Sequence, residues 1–170
     1  TNSQNRNPNA VHFADTETLI HSNIDPTSFI EGGVMIEDDT EVDHHAIIHK
    51  GATVSGRIGA QANVGENAIV TGSSLGYSSE VEPYAKISDS TIGNEAIVLE
   101  GAEVDSSVVG FDSEIGVRSK VDHSKIGDAV IIGSRATLEQ GSTITDGASV
   151  AAGETIPING VRTAEHQTVV

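Results

Sequence analysis

The sequence predicts an all-β fold, a parallel β-helix of about eight coils with a triangular cross-section, and three observations carry that expectation. The first is an interval: a branched aliphatic recurs every sixth residue at Ile24, Ile30, Ile36, Val42, Ile48 and Val54. The second is a longer period. From Ile58 the intervals run six, six, five, so that Ile58, Leu75, Ile92, Val109 and Ile126 lie seventeen apart, and a last set follows at Ile144, Val150 and Ile156. The third is the company these aliphatics keep. Alanine often stands two positions before them, as at Ala46, Ala62, Ala96 and Ala136, and glycine often follows, as at Gly59, Gly76, Gly93 and Gly110.

A period near six fits neither a helix nor simple strand alternation, but it fits a prism in which each face turns one aliphatic inward. Small residues suit the tight corners, and glycine after the aliphatic suggests a turn that uses its backbone freedom. Residues 24–156 therefore form the β-helix, residues 1–23 an N-terminal cap segment and residues 157–170 a C-terminal tail that ends in Val169 and Val170. Phe13, Leu19 and Ile20 are the candidates for covering the first coil. Stacked at about 4.8 Å per coil, the prism is roughly 38 Å tall.

Composition narrows the function classes. Twenty-five acidic residues against nine basic ones give a net charge of −16, which repels phosphate backbones and anionic lipid, so neither nucleic acid nor a membrane is expected as a partner. The same acidity keeps a surface hydrated in concentrated salt and suggests a halophilic habitat. With no cysteine, thiolate metal ligands and disulfides are excluded, and any soft-metal site must use histidine. No apolar run approaches the roughly 20 residues of a membrane span, and no basic-then-apolar leader stands at Thr1, so the cytoplasm is the default expectation.

The six-residue pattern resembles the hexapeptide-repeat superfamily over most of the chain, residues 24–156. That resemblance implies left-handed coils, an exception to the usual handedness of parallel crossovers, and a homotrimer with active sites between subunits.

Seven histidines are present, and three fall together in Val42-Asp43-His44-His45-Ala46-Ile47-Ile48-His49. His44 stands two residues after an inward aliphatic and His49 one after, an arrangement similar to the metal-binding stretch of γ-class carbonic anhydrases. The resemblance implies a zinc site shared across a subunit interface, with His44 and His49 as ligands, His21 as the third and Glu31 as its substitute. A zinc with an open position, or cobalt or iron in its place, would turn bound water into hydroxide for attack on carbon dioxide. Glu31 qualifies because 49 − 31 is eighteen, three hexads. The family's Arg-Gly-Asp stretch is absent, and Lys50 stands where a glycine usually follows the last ligand.

A second resemblance centres on His123, in Val121-Asp122-His123-Ser124-Lys125-Ile126-Gly127-Asp128. This stretch is similar to the active segment of hexapeptide acyltransferases, in which a histidine is general base toward an acceptor amine or hydroxyl while acyl-CoA lies along the prism. His123 precedes the next inward aliphatic by three residues rather than four, because the interval here is five. A third resemblance, to the β-helical tails of sugar-nucleotide pyrophosphorylases, rests on Asp89-Ser90-Thr91-Ile92-Gly93 and Ser106-Ser107-Val108-Val109-Gly110. It implies a non-catalytic trimeric scaffold. Arg57, Arg118 and Arg135 are scattered in sequence and suggest no phosphate clamp, and Asp38, Asp39 and Glu41 read as a solvated acidic corner. The enzyme expectations are thus carbon dioxide hydration first, acyl transfer to a small molecule second.

Overall fold

In a computed structural model that describes residues 10–164, every strand pairing is parallel and consecutive coils stack in register around a left-handed solenoid. Three ladders of inward side chains run its length. On the first face, Ile24, Val42, Ile58, Leu75, Ile92, Val109, Ile126 and Ile144 are successive partners. On the second, Ile30 pairs with Ile48, Ile48 with Val64, and the ladder continues to Val150. On the third, Phe13 pairs with Ile36 and the ladder continues through Val54, Val70, Ile87, Val104, Val121 and Leu138 to Ile156.

The inward aliphatics from Ile36 to Ile156 are all at most 4% exposed, and the alanines two positions earlier are buried with them. Among the buried residues of this core none is aromatic. The core is built by repetition, each coil covering the apolar edge of its neighbour.

The glycines that follow the inward aliphatic have a different cause from the one expected. Gly93 and Gly110 do not adopt positive φ; a Cβ on Gly93 would stand 2.7 Å from the Gly110 carbonyl carbon, and one on Gly110 would stand 2.4 Å from the Gly127 oxygen. Close stacking of the next coil selects glycine there. The left-handed position lies two residues further on and is held by ordinary residues such as His45, Gln61 and Glu95.

The five-residue interval has its own device. At that corner the buried Ser90 N–H donates to Ser73 Oγ at 3.1 Å, Ser107 N–H to Ser90 Oγ at 3.0 Å and Ser124 N–H to Ser107 Oγ at 3.0 Å. Each hydroxyl in turn donates to the carbonyl two residues back, as Ser107 does to Asp105 at 2.7 Å and Ser124 to Asp122 at 2.6 Å. A serine ladder thus satisfies the backbone of a turn one residue shorter than the others.

At the N-terminal end, the six-residue helix Thr16–His21 is capped by Asp15, which accepts from Thr18 N–H at 2.8 Å. Phe13 packs on the core as expected, but Leu19 is 55% exposed while Thr18 is buried. The side chain of Ile20 lies outside the described residues, as do Val169 and Val170. Beyond Ile156 the coil pattern continues, since Val161–Arg162 pairs with Thr143–Ile144. Arg162 takes the ladder position after Ile144, and its guanidinium donates to the Glu154 carboxylate at 2.9 and 2.6 Å. No helix among the described residues is long and apolar enough to cross a membrane.

Candidate functional site

The serine-laddered corner places His123 at its left-handed position, φ 42°, with its N–H donating to the Asp105 carbonyl at 2.9 Å and its own carbonyl accepting from Gly141 N–H at 2.9 Å. The backbone is therefore held from both neighbouring coils. Its ring is held from the side: Nδ1 lies 2.6 Å from Asp122 Oδ1. With its proton on Nδ1, the ring donates to that carboxylate and presents Nε2 to solvent as an acceptor.

Asp105 stacks one coil away in register with Asp122, and its Oδ1 accepts from Ser88 Oγ at 2.7 Å and Ser106 Oγ at 3.2 Å. The hydrogen bond to Asp122 raises the His123 pKa above its ordinary value; desolvation opposes it, and the charges of Asp122 and Asp105 add to the rise. Asp105, Asp122 and His123 form the one group of three ligating side chains that converges within 4.8 Å among the described residues, and all three are exposed. Two residues past His123, Lys125 enters an open, mainly apolar groove of about 440 Å³ whose walls include Val108, Ile126, Thr143 and Ile144.

The other predicted ligands are spread over the surface of one chain. His21 ends the short helix, with Nδ1 3.8 Å from Asp39 Oδ1. His44 lies exposed on an open groove of about 490 Å³ beside Arg57 and Tyr77, its ring edge-on to His45 at 5.5 Å. Next to it, Asp43 accepts from Arg57 Nη2 at 3.0 Å. His49 sits at the following corner, on a separate groove of about 310 Å³ with Asn63, Glu66 and Glu82.

The eighteen-residue spacing does bring Glu31 to His49, with Oε1 3.3 Å from Nδ1. Yet the same carboxylate accepts from Lys50 N–H at 2.7 Å through Oε2, as Glu82 accepts from Glu100 N–H at 2.9 Å and Glu139 from Ile158 N–H at 3.2 Å. That bond is the main cause of the lowered Glu31 pKa, followed by His49 among the favourable contacts. Glu31 is thus a corner brace that also orients His49, leaving Nε2 as the ring's outward nitrogen. A single chain does not bring His21, His44 and His49 together. His166 lies outside the described residues.

No protein-family model matches the chain, and no curated protein matches it in sequence. Solved structures do match. A UDP-N-acetylglucosamine acyltransferase from Bacteroides fragilis is 15% identical, over 76% of this chain and 65% of that one, with a TM-score of 0.47. The chain thus spans just under two thirds of that protein's length. A putative acetyltransferase from Bacillus cereus is 18% identical over 86% and 77% of the two chains, TM-score 0.44. A hexapeptide transferase family protein from Anaplasma phagocytophilum is 15% identical over 92% and 76%, TM-score 0.42. By its own strand register and buried ladders, the chain has the hexapeptide-repeat, left-handed parallel β-helix architecture.

Proposed function

We propose that the protein transfers an acyl group from a thioester, acyl-CoA, to an amine or hydroxyl of a small molecule, with His123 as general base. The observation that carries this reading is the 2.6 Å contact between His123 Nδ1 and Asp122 Oδ1 on a backbone braced from both sides. As the acceptor attacks the thioester carbonyl, its proton moves to His123 Nε2. The carbon–sulfur bond then breaks, and the proton passes from Nε2 to the departing thiolate. Asp122 keeps the ring in the useful tautomer and stabilises the imidazolium that forms. The apolar groove beginning at Lys125 offers a surface for the acyl donor's uncharged arm. Acceptor-dependent release of free thiol from acetyl-CoA tests the reading. Wild-type protein should release thiol, and His123→Ala should lose about 10²- to 10⁴-fold of that rate.

A second reading keeps the zinc-dependent hydration of carbon dioxide. What favours it is Glu31 beside His49, the carboxylate–imidazole pairing that commonly backs a metal-binding histidine. Because one chain does not gather three ligands, this reading needs His44 from a second copy in a homotrimer. Stoichiometric zinc in purified protein, lost in His49→Ala, tests it.

A further inference from the structure

Arg118 and Arg135, seventeen residues apart in sequence, occupy the same corner on successive coils. Both hold the left-handed turn position, with φ 57° and 58°, where the flanking coils place Gly101 and Gly153. Arg135 lies one coil beyond Arg118, since Arg135 N–H donates to the Val117 carbonyl at 2.9 Å while Arg118 N–H donates to that of Glu100 at 3.0 Å. Adjacent coils stand about 4.8 Å apart. Both arginines are exposed, and among the described residues neither guanidinium has a hydrogen bond or ion pair.

That is unexpected on a chain with 25 carboxylates and nine basic residues, where Arg57 and Arg162 both have acidic partners. On their own two coils the residues just before them, Gly116, Val117, Gly133 and Ser134, are uncharged, as are Ala151 and Ala152 on the next; the acids at this corner are Glu154 on that next coil, which Arg162 already holds, and Glu100 and Glu103 on the coil before. Lys120, two residues after Arg118 and in register with Glu103 of the coil before, adds a third basic side chain on the adjoining face. Glycines flank the pair on either side. The Arg118 side chain lies over Gly101, whose added Cβ would stand 3.2 Å from Arg118 Cγ, and an added Cβ on Gly153 would meet nothing within 4 Å. Two like charges stacked without a counterion repel each other, and a bridging oxyanion turns that repulsion into attraction. Guanidinium forks match the oxygen spacing of phosphate in particular.

We propose that Arg118 and Arg135, supported by Lys120, form a binding site for the phosphate or diphosphate group of a small molecule. The test reads binding alone, so it stands or falls separately from chemistry at His123. Titration calorimetry at low ionic strength uses inorganic pyrophosphate and adenosine 5′-diphosphate as probes against wild-type protein, Arg118→Gln, Arg135→Gln and the double variant. Saturable binding of pyrophosphate is expected, weakened about tenfold by each single change, as the loss of one charged hydrogen-bonding fork implies. Equal affinity for the two probes assigns the site to the diphosphate itself; tighter binding of adenosine diphosphate with the same arginine dependence assigns it to a nucleotide-like ligand. Absence of saturable binding of both probes, or binding that survives in the double variant, overturns the proposal. All three variants change exposed side chains, and matching thermal unfolding curves show that the fold is intact.

Discussion

His123 Nδ1 lies 2.6 Å from the carboxylate of Asp122, its immediate neighbour in sequence, at a corner where the His123 N–H and carbonyl are each tied to an adjacent coil. Two consecutive residues on an extended strand would point to opposite faces. The left-handed turn at His123 bends the chain so that the two side chains meet.

The pairing predicts a histidine that titrates above its ordinary value of about 6.5. Because the folded pKa is raised, the charged pair contributes stability that is fully present below about pH 6.5 and is lost as pH rises through the folded pKa. Nuclear magnetic resonance of the His123 ring should show the raised midpoint, and Asp122→Asn should bring it back down. A midpoint that does not respond to Asp122→Asn would contradict the pairing.

The serine ladder predicts a cost at a distance. Ser107→Ala removes the acceptor of the buried Ser124 N–H, and an unsatisfied buried donor costs about 1–3 kcal/mol. Urea unfolding should show that loss. Acyl transfer should fall as well, since Ser124 adjoins His123 and its hydroxyl donates to the Asp122 carbonyl.

Gly93→Ala should be destabilising by about 1–3 kcal/mol, the usual cost of overpacking, because the added methyl meets the backbone of Gly110 and Phe111 at 2.7 and 2.8 Å. Gly153→Ala meets no such contact, so there the cost is only that of its left-handed backbone, φ 73°. Thermal unfolding of the pair separates close stacking from backbone freedom.

Much of this was legible in the sequence, because a solenoid converts period directly into position. The inward ladders, the count of coils and the placement of Glu31 under His49 all follow from sixes and seventeens. What the period cannot give is the local geometry of a corner. The five-residue interval announced a shorter turn, but not that buried serines would brace it or that it would swing His123 onto Asp122. Glycines read as turn residues are instead governed by the next coil's backbone, a contact between residues seventeen apart. Arg118 and Arg135 looked scattered, although their separation equals one coil and could have been read as adjacency. Leu19 points outward because a short helix buries only part of its circumference, and Thr18, its immediate neighbour, is on the buried part.

The carbon dioxide reading separates cleanly from acyl transfer by metal. If His49 and Glu31 serve a shared zinc, purified protein should carry stoichiometric zinc and its assembly should weaken in chelator. Metal-free protein with unchanged stability in chelator removes that reading and leaves acyl transfer untouched.

The central claim is that His123, oriented by Asp122, takes a proton during acyl transfer. The most direct measurement is the pH dependence of amine-dependent thiol release from acetyl-CoA by wild-type and Asp122→Asn protein. The expected wild-type rate rises with pH through a midpoint above about 6.5, and Asp122→Asn should be slower with a lower midpoint. Absence of acceptor-dependent thiol release at any pH, or a profile identical in the two proteins, would contradict it.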